Sequence, residues 1–236
     1  MLSKEEFNRY RKQIMLDDIG IHGQLKIKGS KVAVVGAGGL GCPVLQYLTA
    51  AGVGTIGIID FDVVEVSNLH RQILYTPDDA GRLKAEVALQ RLSAQNPSIV
   101  LRAHSQMLNE ENVESLLSPY DLIVDGCDNF ATRYSVNDAC VKLDKPLVYG
   151  SILGYEGQLA VFNLKGSRNL RDLFPEPPAP EEVPDCSENG VLGTLPAIIG
   201  SLMAHEALQV ILERSVLANT FLIYNSQNLS FTRLAY

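Results

Sequence analysis

The stretch that most limits what this chain can fold into is KVAVV, residues 31 to 35, running directly into Gly36-Ala37-Gly38-Gly39-Leu40-Gly41. A continuous, largely β-branched run reads as a strand covered on both faces. The glycines permit a sharp turn into a helix, which closes at Gly52 before a second apolar run, TIGII, over 55–59. Strand, glycine turn, helix and strand within about thirty residues make one βαβ unit. In that setting G-x-G-x-x-G is a phosphate-binding turn, because glycine lets the backbone approach a ligand and the helix N-terminus offers unpaired amides. Asp60 follows the last glycine by about twenty residues, the place from which a carboxylate holds ribose hydroxyls. An adenine-nucleotide site built on Gly36, Gly38, Gly39, Gly41 and Asp60 is expected.

The alternation continues beyond this unit. Helical patterns over 82–95, 110–117 and 132–143 separate apolar runs at 99–103, 121–124 and 147–151. That order predicts a doubly wound, Rossmann-like, mostly parallel α/β sheet. Two short helices, in 4–18 and 21–27, precede it. Past Gly154 the pattern changes to a strand over 157–164, a loop over 165–190, an apolar helix over 195–213 and a hairpin over 220–235 turning at Asn225-Ser226. An antiparallel C-terminal extension follows. A single domain over 1–236 is expected, with N-terminal helices in 1–30, a nucleotide-binding core in 31–153 and the extension in 154–236. The loop sets Pro175, Pro177, Pro178, Pro180 and Pro184 among acidic residues, so mobility is expected there.

Charge and cysteine usage narrow the classes. Lys and Arg number 20 against 27 Asp and Glu, a formal charge of −7, the wrong field for nucleic acid or for a polybasic membrane reader. The opening residues, MLSKEEFNRYRKQ, lack a signal-peptide core, and no uninterrupted apolar run reaches the ~18 residues of a membrane span. Cys42, Cys127, Cys140 and Cys186 form no C-x-x-C pair and read as reduced thiols of a cytoplasmic protein. His22, His70, His104 and His205 have no ligand or triad spacing.

A nicotinamide-dependent oxidoreductase carries the same glycine fingerprint, so the segment after Asp60 discriminates. DFDVVEVSNLHRQ and GRLKAE bring Asp62, Asn68, Arg71, Gln72 and Lys84 to the phosphate side. A dinucleotide's pyrophosphate is served largely by backbone amides, whereas attack on the α-phosphorus of a triphosphate calls for fixed positive charges. Arg71 and Lys84 favour ATP. The strand near 121–124 runs into Asp125-Gly126-Cys127-Asp128-Asn129 at the carboxyl edge of the sheet. A carboxylate there holds Mg²⁺ against phosphate oxygens; equally, Asp128 or Asn129 caps the helix that follows.

Taken in order, R-x-x-K-Q at 9–13, GAGGLG, DFDVVEVSNLHRQ, GRLKAE, DGCDNFATR and GVLGTLPAIIGSLMAHEAL resemble the ThiF/MoeB/HesA family, bacterial relatives of ubiquitin-activating enzymes, over nearly the whole chain. The resemblance implies an adenylyltransferase. With Mg·ATP it would activate the C-terminal Gly-Gly carboxylate of a small ubiquitin-like sulfur carrier protein, releasing pyrophosphate and leaving an acyl-adenylate for thiamine- or molybdopterin-type sulfur transfer. A sulfurtransferase or cysteine desulfurase would supply the sulfur. The same resemblance implies that the four turn glycines cradle ATP, that Asp60 binds ribose with Asp62 nearby, and that Asn68, Arg71 and Lys84 contact the phosphates with Gln72 beside them. Asp128, next to Asn129, would serve the magnesium. It further implies a homodimer in which a basic residue of the first helix reaches the partner's ATP. Lys12 holds that position here where the family usually has Arg, and Arg11 stands beside it. Cys186 matches a cysteine that some members link covalently to the carrier; the other reading is a surface thiol. The paired zinc cysteines of many relatives are missing from Gly166-Ser167-Arg168-Asn169 and from the tail FTRLAY, so no zinc is expected. The competing readings are the nicotinamide-dependent oxidoreductase and a nucleotide-binding relative without turnover.

Overall fold

A computed structural model describes residues 1–178 and 190–236 of the chain. Two helices, α1 (Lys4–Ile14) and α2 (Gly20–Gly29), precede β1 (Lys31–Val35). Next come α3 (Gly41–Ala51), β2 (Thr55–Ile59), α4 (Lys84–Gln95), β3 (Val100–His104), α5 (Val113–Leu117), β4 (Leu122–Asp125), α6 (Phe130–Lys142) and β5 (Leu147–Leu153). Then follow β6 (Glu156–Phe162), α7 (Leu170–Leu173), α8 (Thr194–Ile211), β7 (Thr220–Asn225) and β8 (Ser230–Ala235). The eight strands among the described residues join one sheet in the order β3-β2-β1-β4-β5-β6-β7-β8. The first five are parallel, and β6, β7 and β8 add on antiparallel. The expected doubly wound sheet with an antiparallel extension is present.

Strand alternation explains the two layers. Val32 and Val34 point into one apolar cluster with Leu45, Val87, Leu92 and Met203, while Ala33 and Val35 face another with Leu117, Val136 and Cys140. Both faces of β1 are therefore dry, which is why its sequence is continuously apolar rather than alternating.

The first helix sits at the amino edge of the sheet. Ser3 and Glu6 close a reciprocal capping box at its start. At its other end Tyr10 packs directly beneath Gly52, and Gln13 Nε2 donates to Gln24 Oε1 at 2.6 Å and to the Ala51 carbonyl at 3.2 Å. Ala51 and Gly52 end the helix that leads into β2, so α1 lies across the sheet from the glycine turn.

Several boundaries differ from the sequence reading. The strand expected over 157–164 ends at Phe162 because Asn163 and Lys165 turn left-handed, with φ of 54° and 50°. The expected loop over 165–190 contains a helix, α7, which Asn169 caps and whose Leu170 N–H donates to Asn137 Oδ1 at 2.9 Å. Residues 165–169 and 174–178 lie outside helix and strand, as expected, and the remainder of the loop, including Pro180, Pro184 and Cys186, falls on 179–189, outside the described residues. Short 3-10 turns at Val66–Asn68 and Pro77–Asp79 organise the connection between β2 and α4.

By length and composition α8 is apolar enough to cross a membrane. Here its buried face lies on α3, β5 and β6. Glycines make that seat: a β-carbon at Gly150 would overlap Met203, one at Gly157 would overlap Ile199, and one at Gly200 would press on Pro43 and the Leu40 carbonyl.

Candidate active site

The carboxyl edge of the parallel strands opens into a cavity of about 590 Å³, within the range of small-molecule sites. Its floor is the glycine turn. Gly36 has φ of 87°, and a β-carbon there would come within 2.8 Å of the Gly126 carbonyl, so only glycine fits between β1 and the end of β4. Gly36, Gly38 and Gly39 line the cavity. Gly41 does not: a side chain there would overlap the Gly36 carbonyl, so its smallness closes the turn onto the helix.

Asp60 lies in the wall with both oxygens already engaged. Oδ2 accepts the Ala37 N–H at 2.7 Å and Oδ1 the Asp62 N–H at 2.9 Å. Burial pushes its pKa up, against the pull of those two amides and of Lys84. Each oxygen keeps a lone pair for a ligand hydroxyl. Lys84 is the first residue of α4 and only 5% exposed. A buried ammonium at a helix N-terminus opposes both solvation and the helix dipole, and its Nζ is held by Asp62 Oδ2 at 2.9 Å.

Arg71 is aimed by the 3-10 turn before it. Its Nη2 donates to Asn68 Oδ1 at 2.7 Å, Nη1 lies 3.3 Å from His70 Nε2, and Asn68 Nδ2 donates to Glu65 Oε2 at 3.2 Å. A second, polar cavity of about 200 Å³ opens among Asp62, Val63, Glu65, Asn68, Arg71, Gln72, Lys84 and Asp128. All of these except Val63, Glu65 and Asn68 also line the larger one, so the two spaces share a wall.

Two features fit a nucleotide in this place. The turn leaves backbone, not side chain, facing the ligand, and Gln72 Oε1 is buried in the wall with no hydrogen-bond partner among the described residues. The donor set also fits magnesium, since Asp128 is exposed at the shared wall and its carboxylate is a hard oxygen ligand. Asp125, also considered for that role, is corrected: it is 0% exposed, its Oδ1 accepts the Cys127 N–H at 3.0 Å, and Oδ2 lies 3.5 Å from Arg133 Nε. The cap of α6 is Asn129, whose Oδ1 accepts the Thr132 N–H at 2.9 Å. Arg11 and Lys12 are exposed on α1, away from both cavities. Cys42, Cys127 and Cys140 are unpaired and buried; burial pushes the Cys42 thiol up to about 12, as suits packing residues.

Sequence reasoning did not single out the far wall. Phe130, Arg133, Tyr134, Tyr149, Leu170 and Phe174 line it, and Tyr134 Oη donates to the carbonyls of Phe174 and Glu176, each at 2.9 Å. The available signal was Arg133, an arginine closing the DGCDNFATR motif.

Comparisons with known proteins agree with one another. The ThiF family matches residues 10–236. The chain is 53% identical over 238 residues to the sulfur carrier protein adenylyltransferase of Thermus thermophilus, covering 98% of this chain and 88% of that protein. It is 48% identical over 234 residues to the adenylyltransferase and sulfurtransferase MOCS3 of Anopheles gambiae, and 48% over 235 residues to the probable adenylyltransferase/sulfurtransferase MoeZ of Mycobacterium tuberculosis. Those matches take 99% and 98% of this chain but 53% and 60% of the relatives, so the chain spans little more than half their length. Among solved structures, E. coli MccB with ATP superposes with a TM-score of 0.82 at 22% identity, over 97% of this chain and 71% of that one. PaaA gives 0.84 at 21%, over 99% and 74%. These two show the fold.

Proposed function

The chain belongs to the ThiF family, and from that premise we propose that it adenylates the Gly-Gly C-terminus of a small ubiquitin-like sulfur carrier protein. The observation that carries this reading is the shared wall, where Arg71, Gln72, Lys84 and Asp128 border both a nucleotide-sized cavity and a smaller polar one. ATP lies with its ribose by Asp60 and its triphosphate over the glycine turn, and the polar cavity takes the two terminal phosphates. A carrier carboxylate oxygen bonds to the α-phosphorus while the bond to the bridging oxygen of the β-phosphate breaks, and that oxygen leaves with pyrophosphate. The nucleophile is already an anion, so no base is needed; positioning and charge neutralisation do the catalysis. Arg71 and Lys84 supply fixed positive charge, and Asn68 keeps Arg71 aimed. Magnesium, when bound, neutralises phosphate oxygens, and Asp128 is the residue proposed to hold it.

The glycine-turn site is assembled within one chain, but Arg11 and Lys12 stand across the sheet from it. They act, in this reading, on the nucleotide of a second copy in a homodimer. Unpaired thiols are in keeping with a cytoplasmic setting. A sulfurtransferase or cysteine desulfurase is the proposed donor, and the carrier that supports turnover decides between thiamine and molybdopterin products. None of the relatives compared bears an oxidoreductase name. The test is ATP–pyrophosphate exchange with added carriers. Exchange that depends on ATP, magnesium and a Gly-Gly-ended carrier is expected; none with any such carrier at saturating ATP, or tighter binding of NAD than of ATP, rejects the proposal.

A further inference from the structure

Arg133 is left unused by the proposed reaction, yet it is 4% exposed in the cavity wall, a costly place for a guanidinium without compensation. Its compensation is specific. Nη2 donates to the Cys127 carbonyl at 2.7 Å and the Gly150 carbonyl at 3.0 Å, and Nη1 donates to Tyr149 Oη at 2.8 Å. Nε faces Asp125 Oδ2 at 3.5 Å, neither atom having a hydrogen-bond partner among the described residues. The group also stacks over the Tyr149 ring at 4.5 Å.

The consequence falls on the turn between β4 and α6. Gly126 N–H donates to the Val35 carbonyl at 2.9 Å, Cys127 N–H to Asp125, the Cys127 carbonyl accepts from Arg133, and Asn129 caps α6. Asp128 is the residue between these ties, and of the turn residues 126–129 it is the one that lines both cavities. Through Gly150 the same guanidinium grips β5 just before Ser151, Ile152, Leu153 and Gly154, which also line the cavity. A planar fork can hold acceptors from the turn and from β5 at once; a lysine ammonium keeps the charge beside Asp125 but loses that geometry.

We propose that Arg133 is a positioning residue: held by β5 and Asp125, it fixes the Cys127 carbonyl and so sets the Asp128 carboxylate toward metal-bound phosphate. The proposal rests on the reading in which Asp128 serves magnesium in the Mg·ATP site. Its test is a double-mutant cycle of Arg133→Lys and Asp128→Asn, read first as the tightening of ATP binding by magnesium, from calorimetric affinities measured with magnesium and with EDTA. Arg133→Lys is expected to leave ATP affinity in EDTA within about twofold of wild type and to cut the magnesium-dependent tightening about ten- to a hundredfold. The double variant is expected to be no worse than Asp128→Asn alone. The second readout, carrier-dependent exchange, should show the same non-additivity. Multiplying effects, or equal loss of ATP affinity with and without magnesium, overturns the proposal, as does wild type in which magnesium does not tighten ATP. Should Arg133→Lys fail to fold, Tyr149→Phe removes one tie and is expected to show a smaller loss, also non-additive with Asp128→Asn; additivity there overturns the proposal equally. Because binding is read without the carrier, a wild type that binds Mg·ATP yet shows no exchange rejects the adenylation reading while the cycle still decides Arg133.

Discussion

At the carboxyl edge of the sheet Lys84, Arg71 and Arg133 each have an in-chain oxygen partner, in Asp62, Asn68 and Asp125. At the amino edge Arg11 and Lys12 stand exposed in the last turn of α1. The helix dipole sharpens the contrast. Cations in a last turn are favoured, so Arg11 and Lys12 need no ligand to explain their place. A buried lysine in a first turn is disfavoured, and Lys84 is held there by the Asp62 carboxylate. One edge holds its positive charges against oxygens of the same chain; the other presents them outward to solvent.

The largest expected effect tests the first half of that contrast. Lys84→Ala should cut pyrophosphate exchange about 10²- to 10³-fold with thermal stability unchanged or raised; activity and stability falling together would break the comparison. The second half is tested by mixing. Lys12→Ala and Lys84→Ala are each expected to be impaired alone, whereas equal co-expression should restore about a quarter of wild-type exchange, because half of the dimers then hold one complete site. No restoration, in a parallel mix with Arg11→Ala as well, would remove the cross-copy role.

A smaller effect probes how firmly the carboxyl edge is tied. Burial pushes the Asp79 pKa up, but the Thr76 amide and hydroxyl and Arg91 outweigh it, and the carboxyl is held below its usual value. A lowered acid contributes stability above its unfolded pKa of about 4 and loses it as pH falls through the folded value. Asp79→Asn should therefore cost about 1–3 kcal/mol at neutral pH and flatten the fall in stability below about pH 4, measured by denaturant unfolding across pH. An unchanged acid slope would mean that the ties are weaker than their geometry. Least affected should be Cys186→Ala, with exchange intact and any reducible carrier adduct lost; a wild type that never forms the adduct leaves no covalent role for that thiol.

What the sequence revealed follows the same division. Buried parallel strands are continuously apolar, and the glycine turn between them has few alternatives, so the core, Lys84 and Arg71 were legible. Asp125 looked like a ligand because a strand end exposes carboxylates in open sheets. Its true partner, Arg133, sits in a helix where an arginine reads as solvated, and its ties to Tyr149 and Gly150 span 16 and 17 residues. The aromatic wall is assembled over longer reach, Tyr134 to Phe174 and Glu176. Helix α7 has four residues, too few for periodicity to register, and depends on Asn137 from another element.

The glycine seat of α8 has a consequence for mutational tolerance. In most helices the buried face admits exchanges among apolar residues of similar volume. Here Met203 and Ile199 rest on strand backbone and Gly200 on the turn before α3, so even one added methyl has nowhere to go. A saturation scan of α8 together with Gly150 and Gly157 should find its narrowest choice at these two strand glycines and at Gly200, the smallest residue of the helix, while the partly exposed Ile198, Leu202 and Leu208 accept many.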